Sequence, residues 1–174
     1  MAKVSFTKLG LSKNQDVKTV SWNEQSIEVK QYLPITDKLT LISNVLNNAH
    51  DENNFSNPVK LKVFSVLEIM YAYTNINFTD KQKEDAPKLY DLITGSGLFN
   101  EIVNNIPVDE YNSVMNGVFE SVDAIYTYRN SVMGILDTLK EDYSSLDFDA
   151  TEIQQKLNDP ENMRLLRDVL AKLG

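Results

Sequence analysis

Residues 107–143, PVDEYNSVMNGVFESVDAIYTYRNSVMGILDTLKEDY, decide the fold class of this chain. Their apolar side chains recur at steps of three and four, the spacing that places residues on one face of an α-helix. Pro107 suits the first helical turn, where a missing N–H costs no hydrogen bond. We therefore predict one long helix or two nearly collinear ones. Its apolar positions are Tyr111, Val114, Met115, Val118, Phe119, Val122, Ile125, Tyr126, Val132, Met133, Leu136 and Leu139.

The predicted helix is long for a chain of 174 residues. About 35 helical residues span roughly 50 Å, whereas a globule of this chain length has a diameter near ~40 Å. We therefore expect either a bend at Gly117 or Gly134, or a projecting end whose apolar face is covered by another chain.

Helical periodicity extends outward from this segment over most of the chain. Thr36 has the character of an N-cap, and Thr79 with Gln82 forms a capping-box pattern. The triplet Gly95-Ser96-Gly97 is typical of a helix end. Further helices are predicted behind Thr36, at about Val59–Tyr73, at Pro87–Thr94, at Asp149–Leu157 and at about Pro160–Leu173.

The first part of the chain has a different pattern. Two short apolar runs between Val17 and Val29 flank Asn23-Glu24-Gln25, and the second run alternates with the period of a half-buried strand, which predicts a β-hairpin. Residues before Val17 are either a flexible arm or a further edge strand. The predicted fold is mainly α, a helical domain with a long central helix and an N-terminal β-hairpin. Residues 1–33 would form the arm and hairpin and residues 34–174 the helical domain, together one structural unit.

Composition limits the partners that we expect. The net charge of −8 opposes binding to nucleic acid, because that affinity comes from Lys and Arg displacing counterions from phosphates. Nowhere do about 18 apolar residues follow one another, so no membrane span is predicted. The sequence contains no cysteine, which excludes disulfides and thiolate chemistry. We expect a protein of the cytoplasm in which it is made.

The sequence offers little for catalysis. His50, the single histidine, stands beside Asp51 and Glu52, but a zinc site needs at least three protein ligands and usually four. A surface histidine near a helix end is the preferred interpretation. The acid pairs Glu84-Asp85, Asp109-Glu110 and Glu141-Asp142 are interpreted as solvated residues, because an acid catalyst needs an apolar pocket around it. We predict a non-enzymatic protein without catalytic residues, cofactor or metal.

The segment IEVKQYLPI, Ile27–Ile35, includes the second run of the hairpin and leads into a helix at Lys38-Leu39. Together with the acidic helical body, this order resembles the tail assembly chaperones of long-tailed, siphovirus-like bacteriophages. The resemblance covers roughly residues 17–50 best. It implies a protein that coats the aggregation-prone tape-measure protein in the host cytoplasm and helps to recruit tail-tube subunits. It implies no catalytic residues.

Two apolar stripes are the predicted partner-binding residues, and self-association into a homo-oligomer is a further expectation. The alternative for each residue is a place in the chain's own core. One rival function is a virion structural protein at the head-tail connector or neck. Another is an acidic phage inhibitor of a host defence protein, which would imitate nucleic acid by its charge. The acids of this chain alternate with lysines, and this distribution argues against such a role. The six predicted contact residues are Val132, Met133 and Leu136 in the long helix and Leu166, Val169 and Leu173 in the final helix.

Overall fold

The computed structural model describes residues 3–12, 14–50, 56–142 and 159–173. It is mainly α-helical with an N-terminal two-stranded hairpin, which confirms the predicted fold class. The chain divides into two compact units, Met1–Ala124 and Ile125–Gly174. The elements are a 3-10 turn at Phe6–Leu9, β1 Val17–Trp22, β2 Gln25–Lys30, α1 Ile35–Ala49, α2 Pro58–Tyr73, α3 Asp80–Glu84, α4 Ala86–Gly95, α5 Leu98–Val103, α6 Val108–Arg129, α7 Val132–Asp142 and α8 Pro160–Leu173.

The predicted hairpin is confirmed. β1 and β2 pair antiparallel with Trp22 opposite Gln25, so a two-residue turn joins them. Asn23 and Glu24 both have positive φ angles, 47° and 65°, the conformation that matches a hairpin turn to the right-handed twist of its strands. The inward side chains of this hairpin enter the same apolar core as the helices that follow it.

The described residues before Val17 form an arm and not an edge strand. In residues 3–12 and 14–16 every side chain is exposed, and the backbone makes one 3-10 turn. Within residues 3–12 the hydrogen bonds are local, such as the one from the Lys8 amide to the Ser5 carbonyl. The structure thus decides between the two alternatives that the sequence leaves open.

The core of the first unit joins the hairpin to α1, α2, α4, α5 and the first half of α6. Burial of such side chains stabilises a fold by about 1.5–3 kcal/mol each. Its largest completely buried side chains are Val29, Leu33, Val45, Leu67, Ile69, Met70, Tyr73, Ile102, Val114 and Val118.

Most predicted helix boundaries agree with the structure, but the predicted N-cap Thr36 is wrong. α1 begins at Ile35 behind Pro34, so Thr36 lies inside the first turn, where its hydroxyl donates to Asp37. The fixed φ of proline suits an extended residue directly before a helix. The Thr79–Gln82 capping box is present as predicted. Helix α5 was not predicted, since six residues are too few for the helical period to show.

The long central segment breaks at Asn130-Ser131, so the predicted bend at Gly117 or Gly134 is wrong in its position. Gly134 has a different role: a Cβ at this position would overlap the Tyr128 carbonyl oxygen. Glycine therefore allows the first turn of α7 to approach the last turn of α6. The final helix is confirmed as α8, while the predicted helix at Asp149–Leu157 lies outside the described residues.

Candidate protein-binding site

A buried carboxylate fixes the start of α6. Glu110 is 8% exposed, and its Oε2 forms an ion pair with Lys38 Nζ at 2.7 Å. Its Oε1 accepts hydrogen bonds from the Leu33 amide and from the Tyr73 hydroxyl, both at 2.8 Å. The interpretation of Glu110 as a solvated acid is therefore wrong. The partners that bury it lie 37 to 77 residues away in the sequence, where no local pattern reveals them.

This network holds three elements together. Burial, reinforced by the hydrogen bond and the charge of Glu110, raises the pKa of Tyr73 far above its ordinary value of 10.0. The phenol thus stays protonated and donates to the carboxylate. Lys38 also lies 5.0 Å from the centre of the Tyr32 ring, a cation–π distance. Because both Glu110 oxygens are occupied by donors of the protein itself, we interpret the cluster as a structural tie between α6, α2, α1 and the residues just before α1.

A second polar cluster lines a cleft of about 250 Å³. The Asn44 amide donates to Glu68 Oε2 at 3.0 Å. Burial raises the pKa of Glu68, and the Asn44 hydrogen bond and the charge of Lys83 oppose that shift. Acidic, basic and apolar groups share this cleft, and none of the described acids or His50 belongs to a group of three that could hold a metal ion. The lining residues are Lys30, Asp37, Thr40, Leu41, Asn44, Glu68, Tyr71 and Ala72.

Helix α6 carries two stripes that lie side by side. The buried one consists of Glu110, Val114 and Val118, and it faces the core. The other has steps of three, four, four and three residues, the spacing of a helix that packs along a second helix. On it, Val108 is 72% exposed and Phe119 is 55% exposed, while the other three side chains are half-buried. We call this set the outer stripe; its residues are Val108, Tyr111, Met115, Phe119 and Val122.

Helix α1 presents a smaller apolar surface. Ile35 and Leu39, one helical turn apart, are both well exposed, and the half-buried Ile42 continues their row. Ile42 lies against α6, since a Cβ built on Gly117 would lie 2.7 Å from its Cδ1. The first unit thus exposes apolar side chains on both of these neighbouring helices.

The six predicted partner-binding residues lie on α7 and α8. Met133 is 51% exposed, and Val132 and Leu136 are half-buried. The side chains of Leu166, Val169 and Leu173 lie outside the described part of the structure, although their backbone belongs to α8. A partner-binding role for the six residues stays a prediction.

The outer stripe was not predicted as a surface, although four of its five residues are among the predicted apolar positions of the long helix. The periodicity placed Tyr111, Met115, Phe119 and Val122 on the same face as Val114 and Val118. On a helix with 3.6 residues per turn these two sets form neighbouring arcs, and Tyr111 lies only about 20° around the axis from Val118. The apolar residues of this segment cover a wider arc around the helix than one buried face needs, and this width was the signal that could have distinguished the two stripes.

His50 has a structural role at the end of α1. Its Nδ1 lies within hydrogen-bond distance of the Leu46 carbonyl, and its Nε2 is 3.1 Å from the Ser56 hydroxyl. It is half-buried, more enclosed than the surface histidine that we expected. These contacts join the end of α1 to Ser56, which lies just before the start of α2.

Comparisons with protein-family models, with curated proteins and with solved structures found no match to this chain. Among the helices that the structure describes, none combines the length and the apolar character needed to cross a membrane.

Proposed function

We propose that this chain is a non-enzymatic phage protein that binds other phage proteins during tail morphogenesis, as a tail assembly chaperone that shields the tape-measure protein. The observation that carries the proposal is the outer stripe of α6, an apolar row that the first unit leaves partly uncovered. The resemblance of residues 17–50 to tail assembly chaperones supplies the class of partner.

The outer stripe has the geometry that a partner helix requires. Its residues recur at three and four positions, so a second helix can lie along it and bury each of them in turn. Covering an apolar side chain fully contributes about 1.5–3 kcal/mol. Phe119 and Val108 have the most surface left to bury, so most of the gain from binding should come from these two positions.

The polar flank of the stripe adds selectivity. Asp109, Glu120 and Asp123 are exposed and follow the apolar row along α6. Carboxylates at the rim of an apolar contact favour partners with Lys or Arg beside their own apolar row, and they disfavour acidic partners. A partner helix with basic flanks is therefore the preferred occupant.

Co-expression with the tape-measure protein tests the proposal. The wild-type chain should keep that partner in the soluble fraction, whereas Phe119→Asp should reduce the soluble partner at least fivefold. Asn100→Asp is the matched control, because it adds the same charge at an exposed position on α5, outside the outer stripe and its polar flank. The proposal fails if the partner is equally insoluble with and without the wild-type chain, or if Phe119→Asp performs as well as the control.

Mass spectrometry of purified particles separates this function from its main rival. A chaperone should be missing from mature virions or present far below the level of one copy per particle. Stoichiometric presence at the connector or neck would instead indicate a virion structural protein.

A further inference from the structure

The arm has the sequence pattern of a strand that is not formed in the structure. Val4 and Phe6 stand two residues apart, and so do Leu9 and Leu11, so the side chains within each pair would share one face of an extended strand, with the two pairs on opposite faces. All four are exposed, with Val4 and Phe6 each at 74%. Four large apolar side chains exposed on one short arm favour its burial against another surface.

One edge of the hairpin is closed by the chain itself. The amide of Glu28 donates to the Asn75 side chain at 3.0 Å, and its carbonyl accepts from the Asn75 amide at 3.3 Å. Both backbone groups of Glu28 thus point away from β1. The Val29–Thr74 bridge extends this contact, so the outer side of β2 is occupied.

The register shows that the outer edge of β1 is open. Thr19 is the residue opposite Glu28, so the pair makes no hydrogen bonds across the hairpin and the N–H and C=O of Thr19 point outward. The same holds two residues away on either side, at Val17 and Ser21. Within the described chain these outward groups have no hydrogen-bond partner. An exposed edge of this kind is a template for pairing with another strand.

We propose that the arm of one copy adds as a strand to the open edge of β1 in a second copy, and that two copies exchange arms in this way. The second copy is favoured because the chain's own arm makes local hydrogen bonds and leaves this edge open. Exchange of arms between two copies covers the outer edge of β1 in each copy by the same contact, as in a symmetric, arm-swapped dimer.

Charge favours this occupant. The first 15 residues contain Lys3, Lys8 and Lys13 and no acid, whereas the whole chain carries −8, so the body is more acidic than the total indicates. A basic arm is attracted to an acidic body, and the attraction weakens with salt. Two complete chains, in contrast, repel one another unless the arms mediate the contact.

Cross-linking between different chains tests the geometry directly. The chain contains no cysteine, so single-cysteine variants report only the introduced thiols. Phe6→Cys protein is mixed in turn with Val17→Cys, Thr19→Cys and Ser21→Cys protein and oxidised with diamide, and mass spectrometry identifies the linked peptides. Ser26→Cys is the control, because it is equally exposed but lies on β2, one strand farther from the open edge.

At least one of the three mixtures should give a mixed disulfide dimer in fivefold or greater excess over the Ser26→Cys mixture. Yields no higher than the control in all three mixtures would overturn the proposal. A link that forms in the Phe6→Cys/Thr19→Cys double variant only within one chain would overturn it as well, since the arm would then cover its own edge.

Sedimentation equilibrium provides an independent readout. Wild-type protein should show an average mass that rises with concentration toward twice 19.8 kDa, with weaker association at high salt. Phe6→Ser should raise the dimer Kd at least tenfold, and Val59→Ser, a 71% exposed apolar residue on α2, should leave it unchanged. Wild-type protein that remains monomeric at high concentration would contradict the proposal. Phe119→Asp should leave the dimer intact. Loss of dimerisation in the wild type would therefore count against arm exchange alone, and a Phe119→Asp variant that still keeps the partner soluble would count against the chaperone function alone.

Discussion

Replacing Glu110 by Gln tests the tie that holds the start of α6. The variant keeps the volume of the side chain and one acceptor oxygen for the Leu33 amide and the Tyr73 hydroxyl. It removes the negative charge opposite Lys38, whose ammonium lies 2.7 Å away and whose side chain is 11% exposed. Leaving one member of a buried ion pair without its partner costs about 3–5 kcal/mol.

The loss should be large compared with the stability of the fold. Proteins of this kind have a free energy of unfolding of about 5–15 kcal/mol. With a urea dependence near ~2 kcal/mol/M, a loss of about 3 kcal/mol moves the unfolding midpoint down by roughly 1.5 M. Fluorescence of Trp22 is a suitable signal, because that half-buried ring packs against the core that the tie supports.

Two further variants separate the ion pair from a general effect of substitution. Asp109→Asn removes the same charge from the neighbouring, exposed position and should change stability by less than about 0.5 kcal/mol. The double variant Lys38→Met/Glu110→Gln should be more stable than Glu110→Gln alone, since the orphaned ammonium is gone. A Glu110→Gln loss below about 1 kcal/mol, or a double variant that is less stable than the single one, would refute the structural role of the pair.

Three further predictions concern Gly134, Gly117 and Glu68. Gly134→Ala should destabilise α7 by about 1–3 kcal/mol in hydrogen exchange, because the new Cβ meets the Tyr128 carbonyl oxygen. Gly117→Ala should remain within about 1 kcal/mol of wild type in urea unfolding, because the Ile42 methyl can move and alanine favours the helix. Glu68→Gln should equal or exceed wild-type stability at pH 7 and lose that advantage near pH 4, measured by urea unfolding at both pH values.

The sign of the Glu68 prediction follows from the direction of its pKa shift. Burial raises the pKa of the folded state above the ordinary value of 4.5. Between the two pKa values the folded chain therefore holds more protons than the unfolded chain, and stability falls as pH rises through this window. Glutamine keeps a hydrogen-bonding partner for Asn44 and carries no charge, so it avoids this loss. A variant that is clearly less stable than wild type at pH 7 would contradict this interpretation of Glu68.

Local patterns were sufficient for most of the fold. Alternation of apolar residues and the turn residues Asn23-Glu24 specify the hairpin, and the capping box at Thr79 marks the start of α3. Both signals lie within a few residues of the structure that they predict. The same holds for α8, where Pro160 and the apolar period define the helix.

Features that depend on distant contacts could not be predicted in this way. The burial of Glu110 requires Lys38 and Tyr73, which only the tertiary fold brings to it. The break at Asn130-Ser131 has no proline or glycine at its position, and periodicity alone runs across it. The occupied outer edge of β2 depends on Asn75, a contact between residues far apart in the sequence, and this contact leaves β1 as the open edge of the hairpin.

Photo-cross-linking from the outer stripe tests the proposed function most directly. Benzoylphenylalanine at Phe119, in cells that co-express the tape-measure protein, should form an adduct with that protein on irradiation. The same group at Asn100, an exposed position on α5, should form at least fivefold less. Equal yields from both positions, or no adduct from Phe119, would show that the outer stripe is not the surface that binds this partner.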